Sequence, residues 1–308
     1  MLKKLLAGIA GMTLIAGSAS AGQLNSIGVT LGSLGNPFFV AMEKGVEDTA
    51  KEINPNVKVT TVSADFDLNK QFTQIDNFIA SKVDLILLNA ADPQAILPAV
   101  KRAQAAGIPV VAIDVLAAGA DATVQTDNVK AGRMACEFLA SKLGGKGKVV
   151  IMNGPPVSSI KERVTGCKEA LSTGKFDIIS DNQNGKASRD GGLEVGQLLM
   201  TRYRQFDGMF TVNDLEAVGS DLAAKQVGRS DFVIVGVDGA PEMVGALKAN
   251  TLIQGSVAQN PYQMAVKAVK IGNEILKTGK KPASTTVLLE PQFITRANVG
   301  SYKGWVSQ

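Results

Sequence analysis

Histidine is absent from all 308 residues. That excludes His-ligated zinc and every His-based nucleophile or base arrangement, leaving only Ser-Lys or carboxylate chemistries to an enzyme reading. Cysteine is nearly absent too, with Cys136 and Cys167 alone, and aromatics make up only 5% of the chain, with a single tryptophan. No tract of one charge sign exists, because the 32 Lys and Arg are interspersed with 28 Asp and Glu, so no nucleic-acid partner is expected. No apolar run reaches the roughly 20 residues that cross a bilayer. The first 21 residues have another pattern: Lys3-Lys4, an apolar stretch from Leu5 to Ala16, then Ala19-Ser20-Ala21 before Gly22. They read as an export signal peptide, and the mature chain is expected to be a soluble periplasmic protein starting at Gly22.

What the chain does contain is alternation. The stretch Ile27 to Lys44 joins an apolar strand to an amphipathic helix through Gly32, Ser33 and Gly35. Asn36 then supplies an N-cap and Pro37 a first helical residue whose missing N–H costs nothing, so the helix is predicted to begin at Pro37. Phe38 and Phe39 follow at once, and neighbours on one helix cannot both face the sheet, so at least one ring should face a crevice. Similar units recur. Apolar runs at 27–31, 57–63, 85–89, 110–114 and 123–126, then at 149–153, 176–180, 208–213, 233–238 and 253–259, alternate with helical patterns. Two sets of five predict an α/β chain of two doubly wound parallel-sheet domains.

The ends of these runs carry the functional argument. Asn89, Asp114, Asn213, Asp238 and Gln259 all stand where apolar strand gives way to loop. Any one of them could be a turn former or cap, but five at the carboxyl edges of two parallel sheets converge on one crevice. Nucleotide motifs are missing. Gly32-Ser33-Leu34-Gly35 is no GxGxxG, and Gly144-Gly145-Lys146-Gly147, with no Ser or Thr after Gly-Lys, reads as the end of a helix that begins near Asp127. Neither a cofactor nor a metal is expected.

In their order and spacing, the segments GNPFF, LILLN, VVAID, TDN, KERVTG, VND, GVDG and VAQNP resemble the periplasmic sugar-binding proteins of ABC transporters, of the ribose-binding type. The resemblance runs from Gly22 to the C-terminus. It implies two lobes joined by three crossing strands, near Thr126, Gln259 and Pro291, with residues 22–126 plus 260–290 in one lobe and 127–259 plus 291–308 in the other. It implies sugar contacts at Asn36, Phe38, Phe39, Asn89, Asp114, Arg163, Asn213, Asp238 and Gln259. Two positions depart from the ribose-type pattern: Val115 stands where it has arginine, and Ala187 where it has an aromatic ring. The expected ligand is a small neutral sugar, because two acids against one arginine disfavour an anion unless a further cation such as Lys161 enters. A sugar alcohol or inositol is the alternative, as is a sensing role in chemotaxis or two-component signalling. A regulator with the same core would need an N-terminal helix-turn-helix where the signal peptide stands. The expected partner is a membrane permease, and the expected state a monomer.

The two cysteines are expected to pair. Cys136 shares a helix face with Val129, Leu139 and Leu143, and Cys167 shares one with Ile160, Val164 and Leu171. In a doubly wound domain of flavodoxin-like order these helices lie side by side, and an exported chain meets an oxidising compartment. Two buried thiols are the alternative reading.

Overall fold

The computed structural model describes residues 22–305, so the signal peptide expected at residues 1–21 lies outside them. In chain order, the first half runs β1 (Ser26–Leu31), α1 (Pro37–Ile53), β2 (Lys58–Ser63), α2 (Leu68–Ala80), β3 (Leu85–Leu88), α3 (Leu97–Ala105), β4 (Val110–Ile113) and β5 (Ala122–Thr126). It continues with α4 (Asn128–Lys142), β6 (Lys146–Asn153), α5 (Ser158–Leu171), β7 (Lys175–Asn184), α6 (Arg189–Arg202), β8 (Gly208–Thr211), α7 (Asp214–Val227), β9 (Val233–Asp238), α8 (Pro241–Lys248) and β10 (Ile253–Ala258). The end of the chain adds α9 (Pro261–Thr278), β11 (Thr286–Leu289) and β12 (Gln292–Thr295).

Two sheets result, ordered β11-β5-β4-β3-β1-β2 and β12-β10-β9-β8-β6-β7. All their pairings are parallel except that of β12 with β10. Central strands such as Leu85–Leu88 and Val110–Ile113 are buried at every residue, as expected of strands covered by helices on both faces. Among the described residues each sheet thus has six strands where the sequence predicts five. The additional ones, TVLL and QFIT, are four residues long, half exposed and on either side of Glu290-Pro291, so neither has the apolar run that marks a buried strand.

The chain passes between the two assemblies three times. It leaves β5 of the first sheet for α4, which packs on β9 and β10 of the second; it leaves β10 for α9, which packs on β3, β4 and β5; and it passes from β11 to β12. Helices α4 and α5 lie in unusually close contact. A Cβ on Gly132 would stand 1.9 Å from the carbonyl oxygen of Arg163, and one on Gly166 would stand 1.9 Å from that of Val129, so only glycine permits this approach. Cys136 and Cys167, fully buried between the same helices, form the expected disulfide with their Cα atoms 5.0 Å apart.

Candidate functional site

Helix α1 starts as predicted: the Asn36 side chain accepts from the Phe38 N–H, and Pro37 takes the first turn. Both phenylalanines are buried, meet edge-on at 5.4 Å between centroids, and line one chamber while also belonging to the core. Phe66 joins them at 6.2 Å from Phe39. Gly32 makes this possible, because a Cβ there would fall 2.6 to 2.8 Å from the two rings of Phe39 and Phe66.

Around the rings the chamber is polar. Asn36, Asp114, Arg163, Asn213, Asp238 and Gln259 line it, with Val157, Ser159, Ile160 and Ala187. Eight of the nine residues singled out in the sequence therefore meet in one space between the two sheets. Asn89 is the exception. It stands behind Asp114, donating from Nδ2 to Asp114 Oδ2 at 3.0 Å and to the Ile113 carbonyl at 3.1 Å. Asn213, like Asn36, is both cap and wall: its Oδ1 accepts from the Glu216 N–H, while Nδ2 faces the Glu216 carboxylate without a hydrogen bond of normal geometry.

Arg163 is held by Asn128 Oδ1 at 2.9 Å and the Val212 carbonyl at 2.7 Å, and only loosely by Asp238 Oδ1 at 3.4 Å. Asp238 Oδ1 takes its shorter bond, 2.7 Å, from Gln259 Nε2. Burial pushes the carboxyls of Asp114 and Asp238 up to about 6, against the pull of the nearby guanidinium. Of the departures noted above, Val115 is buried in a hydrophobic cluster, while Ala187 lines both the chamber and the larger cavity outside it. Lys161 is exposed and absent from the chamber wall, so among the described residues Arg163 is the one cation lining it.

Backbone strain concentrates here. Among the described residues, six of the seven non-glycine residues with positive φ, namely Asp65, Phe66, Asp114, Lys186, Ala187 and Asp238, line the chamber or its outer cavity. Such conformations cost of order 1–3 kcal/mol each and persist where the surroundings over-determine them.

Sequence reasoning missed the layer behind the chamber. Asp214 accepts from the Ser256 hydroxyl at 2.7 Å and the Ala240 N–H at 2.8 Å, fixing the turn after Asp238, and burial lifts its carboxyl to about 8. Glu216 accepts from the Ala187 N–H at 3.0 Å, and burial raises it well above the usual range. The run Asn213-Asp214-Leu215-Glu216 has capping-box spacing, which was the available signal. Among the described residues no group of three or more His, Cys, Asp or Glu could hold a metal ion.

A periplasmic binding protein domain matches residues 27–281. The ribose import binding protein of Bacillus subtilis is 34% identical over 272 residues, 87% of either chain, and the xylitol-binding protein of Mycolicibacterium smegmatis is 30% identical over 95% of this chain and 84% of its own. Among solved structures, the Caulobacter myo-inositol binding protein superposes with a TM-score of 0.83 at 27% identity, covering 91% of this chain and 96% of its own. The two doubly wound halves with three crossings are the type I architecture of such receptors. The chain thus belongs to the periplasmic binding protein family, whose members bind solutes rather than transform them.

Proposed function

We propose that this protein is the solute-binding component of an ABC transporter, taking a neutral monosaccharide, pentose or hexose, or a related polyol between its lobes and delivering it to a membrane permease. One observation carries this reading. Asp114 Oδ1 and Gln259 Oε1 are buried at the chamber without hydrogen-bond partners, in a space also walled by Phe38 and Phe39. Orphaned buried acceptors are costly, and hydroxyl groups, which donate and accept at once, satisfy them while sugar C–H faces pack on the rings. With Arg163 as the one lining cation among the described residues, against two acids, a carboxylate or phosphate ligand is disfavoured. Relatives named for ribose, xylitol and myo-inositol point to the same chemical class.

In this reading the protein works in the periplasm as a monomer. Its lobes comprise residues 22–126 with 260–290, and 127–259 with 291 to the end, and the crossings are the hinge. The contact set is Asn36, Phe38, Phe39, Asp114, Arg163, Asn213, Asp238 and Gln259, with Asn89 supporting Asp114. The test is a thermal-shift screen of pentoses, hexoses, sugar alcohols and inositols beside sugar acids. A ligand at a hundred times its Kd adds about 2.7 kcal/mol of stability. A neutral compound should give the largest shift; a response to acids alone, or to nothing, overturns the proposal.

A further inference from the structure

Trp305, the only tryptophan in the chain, stands at the seam between the two halves. Its indole Nε1 donates to the Asp238 carbonyl at 2.8 Å, and its ring meets Phe38 edge-on at 5.6 Å between centroids. Phe38 lies on α1, against the first sheet; Asp238 ends β9, in the second. The indole is only 8% exposed. Three residues earlier, the Tyr302 hydroxyl donates to the Gly239 carbonyl at 3.1 Å, so the segment 302–305 sits directly on the turn that presents Asp238.

That turn needs support. Asp238 has φ 141° and Gly239 has φ 72°, a backbone that non-glycine residues adopt only when held. The Asp238 carbonyl accepts twice, from the Gln259 N–H at 2.9 Å and from Trp305, which fills both its lone pairs and fixes the peptide plane. With that plane fixed, the carboxylate points into the chamber beside Gln259 and Arg163. Phe38, the other partner of the indole, is itself a chamber wall.

We propose that Trp305 is a positioning residue and interlobe latch: it orients Asp238 for the ligand and engages Phe38 only when the cleft is closed. The proposal rests on the receptor reading, because separation of the lobes is what would part Phe38 from Asp238. An indole that keeps Asp238 then loses its aromatic neighbour and meets water.

The single tryptophan is its own reporter. Emission and iodide quenching of wild-type protein should be recorded with and without a saturating neutral sugar or polyol chosen by melting shift. Closure should move emission to shorter wavelength and reduce the quenching constant at least twofold. Trp305→Phe keeps the ring on Phe38 and loses the donor; its Kd should rise about fivefold. Trp305→Ala loses both contacts, and its Kd should rise about fiftyfold. Unchanged quenching on saturation overturns the latch, and so do two variants that both bind within twofold of wild type. If Trp305→Ala does not fold, Trp305→Phe and the wild-type quenching still decide. A ligand that binds without moving the tryptophan signal sinks the latch alone, whereas no melting shift with any neutral compound removes the receptor reading and the latch with it.

Discussion

Asn89 and Asp114 are joined side chain to side chain, Nδ2 to Oδ2 at 3.0 Å, which leaves Asp114 Oδ1 as the oxygen without a partner. The amide holds the carboxylate by one edge and presents the other. Asp114→Ala should therefore weaken binding on the order of a hundredfold, since hydrogen bonds to charged groups are worth roughly 1.5–3 kcal/mol each. Asn89→Ala, which removes only the support, should cost about tenfold, on the order of 1.4 kcal/mol. Calorimetric titration reads both. If Asp114→Ala and Asp238→Ala each bind within twofold of wild type, the chamber is not the site.

Acid should affect the free and the bound protein in opposite directions. Asp114 and Asp238 lie near 6 in the folded chain, above the ordinary 3.8, because burial disfavours their charge. Their contribution to the stability of the free protein is fully present below about pH 4 and is lost as pH rises through about 6. Ligand hydroxyls that donate to these carboxylates favour the charged form, so affinity should fall as pH drops through 6. A Kd about tenfold higher at pH 5 than at pH 7.5 is expected. Affinity constant across this range would mean that neither carboxylate receives a ligand hydrogen bond.

Removing the disulfide should weaken the fold more than the site. The bridge spans 31 positions, and the chain-entropy relation gives roughly 3–4 kcal/mol for such a loop. A Cys136→Ser, Cys167→Ser double variant should melt several degrees lower and still bind sugar. A thiol count on denatured, unreduced protein should find none.

The close approach of α4 and α5 gives a sharper test. Gly132→Ala would drive a methyl into the Arg163 carbonyl, forcing apart the helix that carries the guanidinium. It should cost at least about 2 kcal/mol of stability and also weaken binding. Gly245→Ala, in α8, meets nothing within 4 Å and has ordinary helical backbone. It should be neutral or stabilising by up to about 1 kcal/mol. Equal effects of the two substitutions on melting would contradict the packing described.

Ligand should shrink the molecule in solution. On the hinge proposed above, at Thr126, Gln259 and Pro291, saturating sugar should lower the radius of gyration seen by small-angle scattering. Curves that superimpose with and without ligand would argue against closure.

Much of this molecule was legible because local and global signals agree. Asn36 and Asn213 looked like helix caps and like crevice residues, and they are both, with Oδ1 on a backbone N–H in each case. Asp114 and Asp238 stand out because one directly follows an apolar strand and the other ends one. What stayed hidden is tertiary. Asp214 and Glu216 look like ordinary acids in a first helical turn, and only the packing of β9, β10 and the segment at Ala187 buries them. Trp305 lies in no periodic pattern at all. The sixth strand of each sheet leaves no sequence signal, because a half-exposed edge needs no apolar run.

Those late strands are the last pieces of both sheets to appear in the chain. β11 and β12 lie between Thr286 and Thr295, yet each completes a different sheet. A chain delivered from its N-terminus can fold most of both halves and still leave β5 and β10 as bare edges, each a template for another strand. Ten residues near the end then cover both. A chain stopped short of Thr286 would leave both sheets one strand short, rather than one finished half and one unfinished.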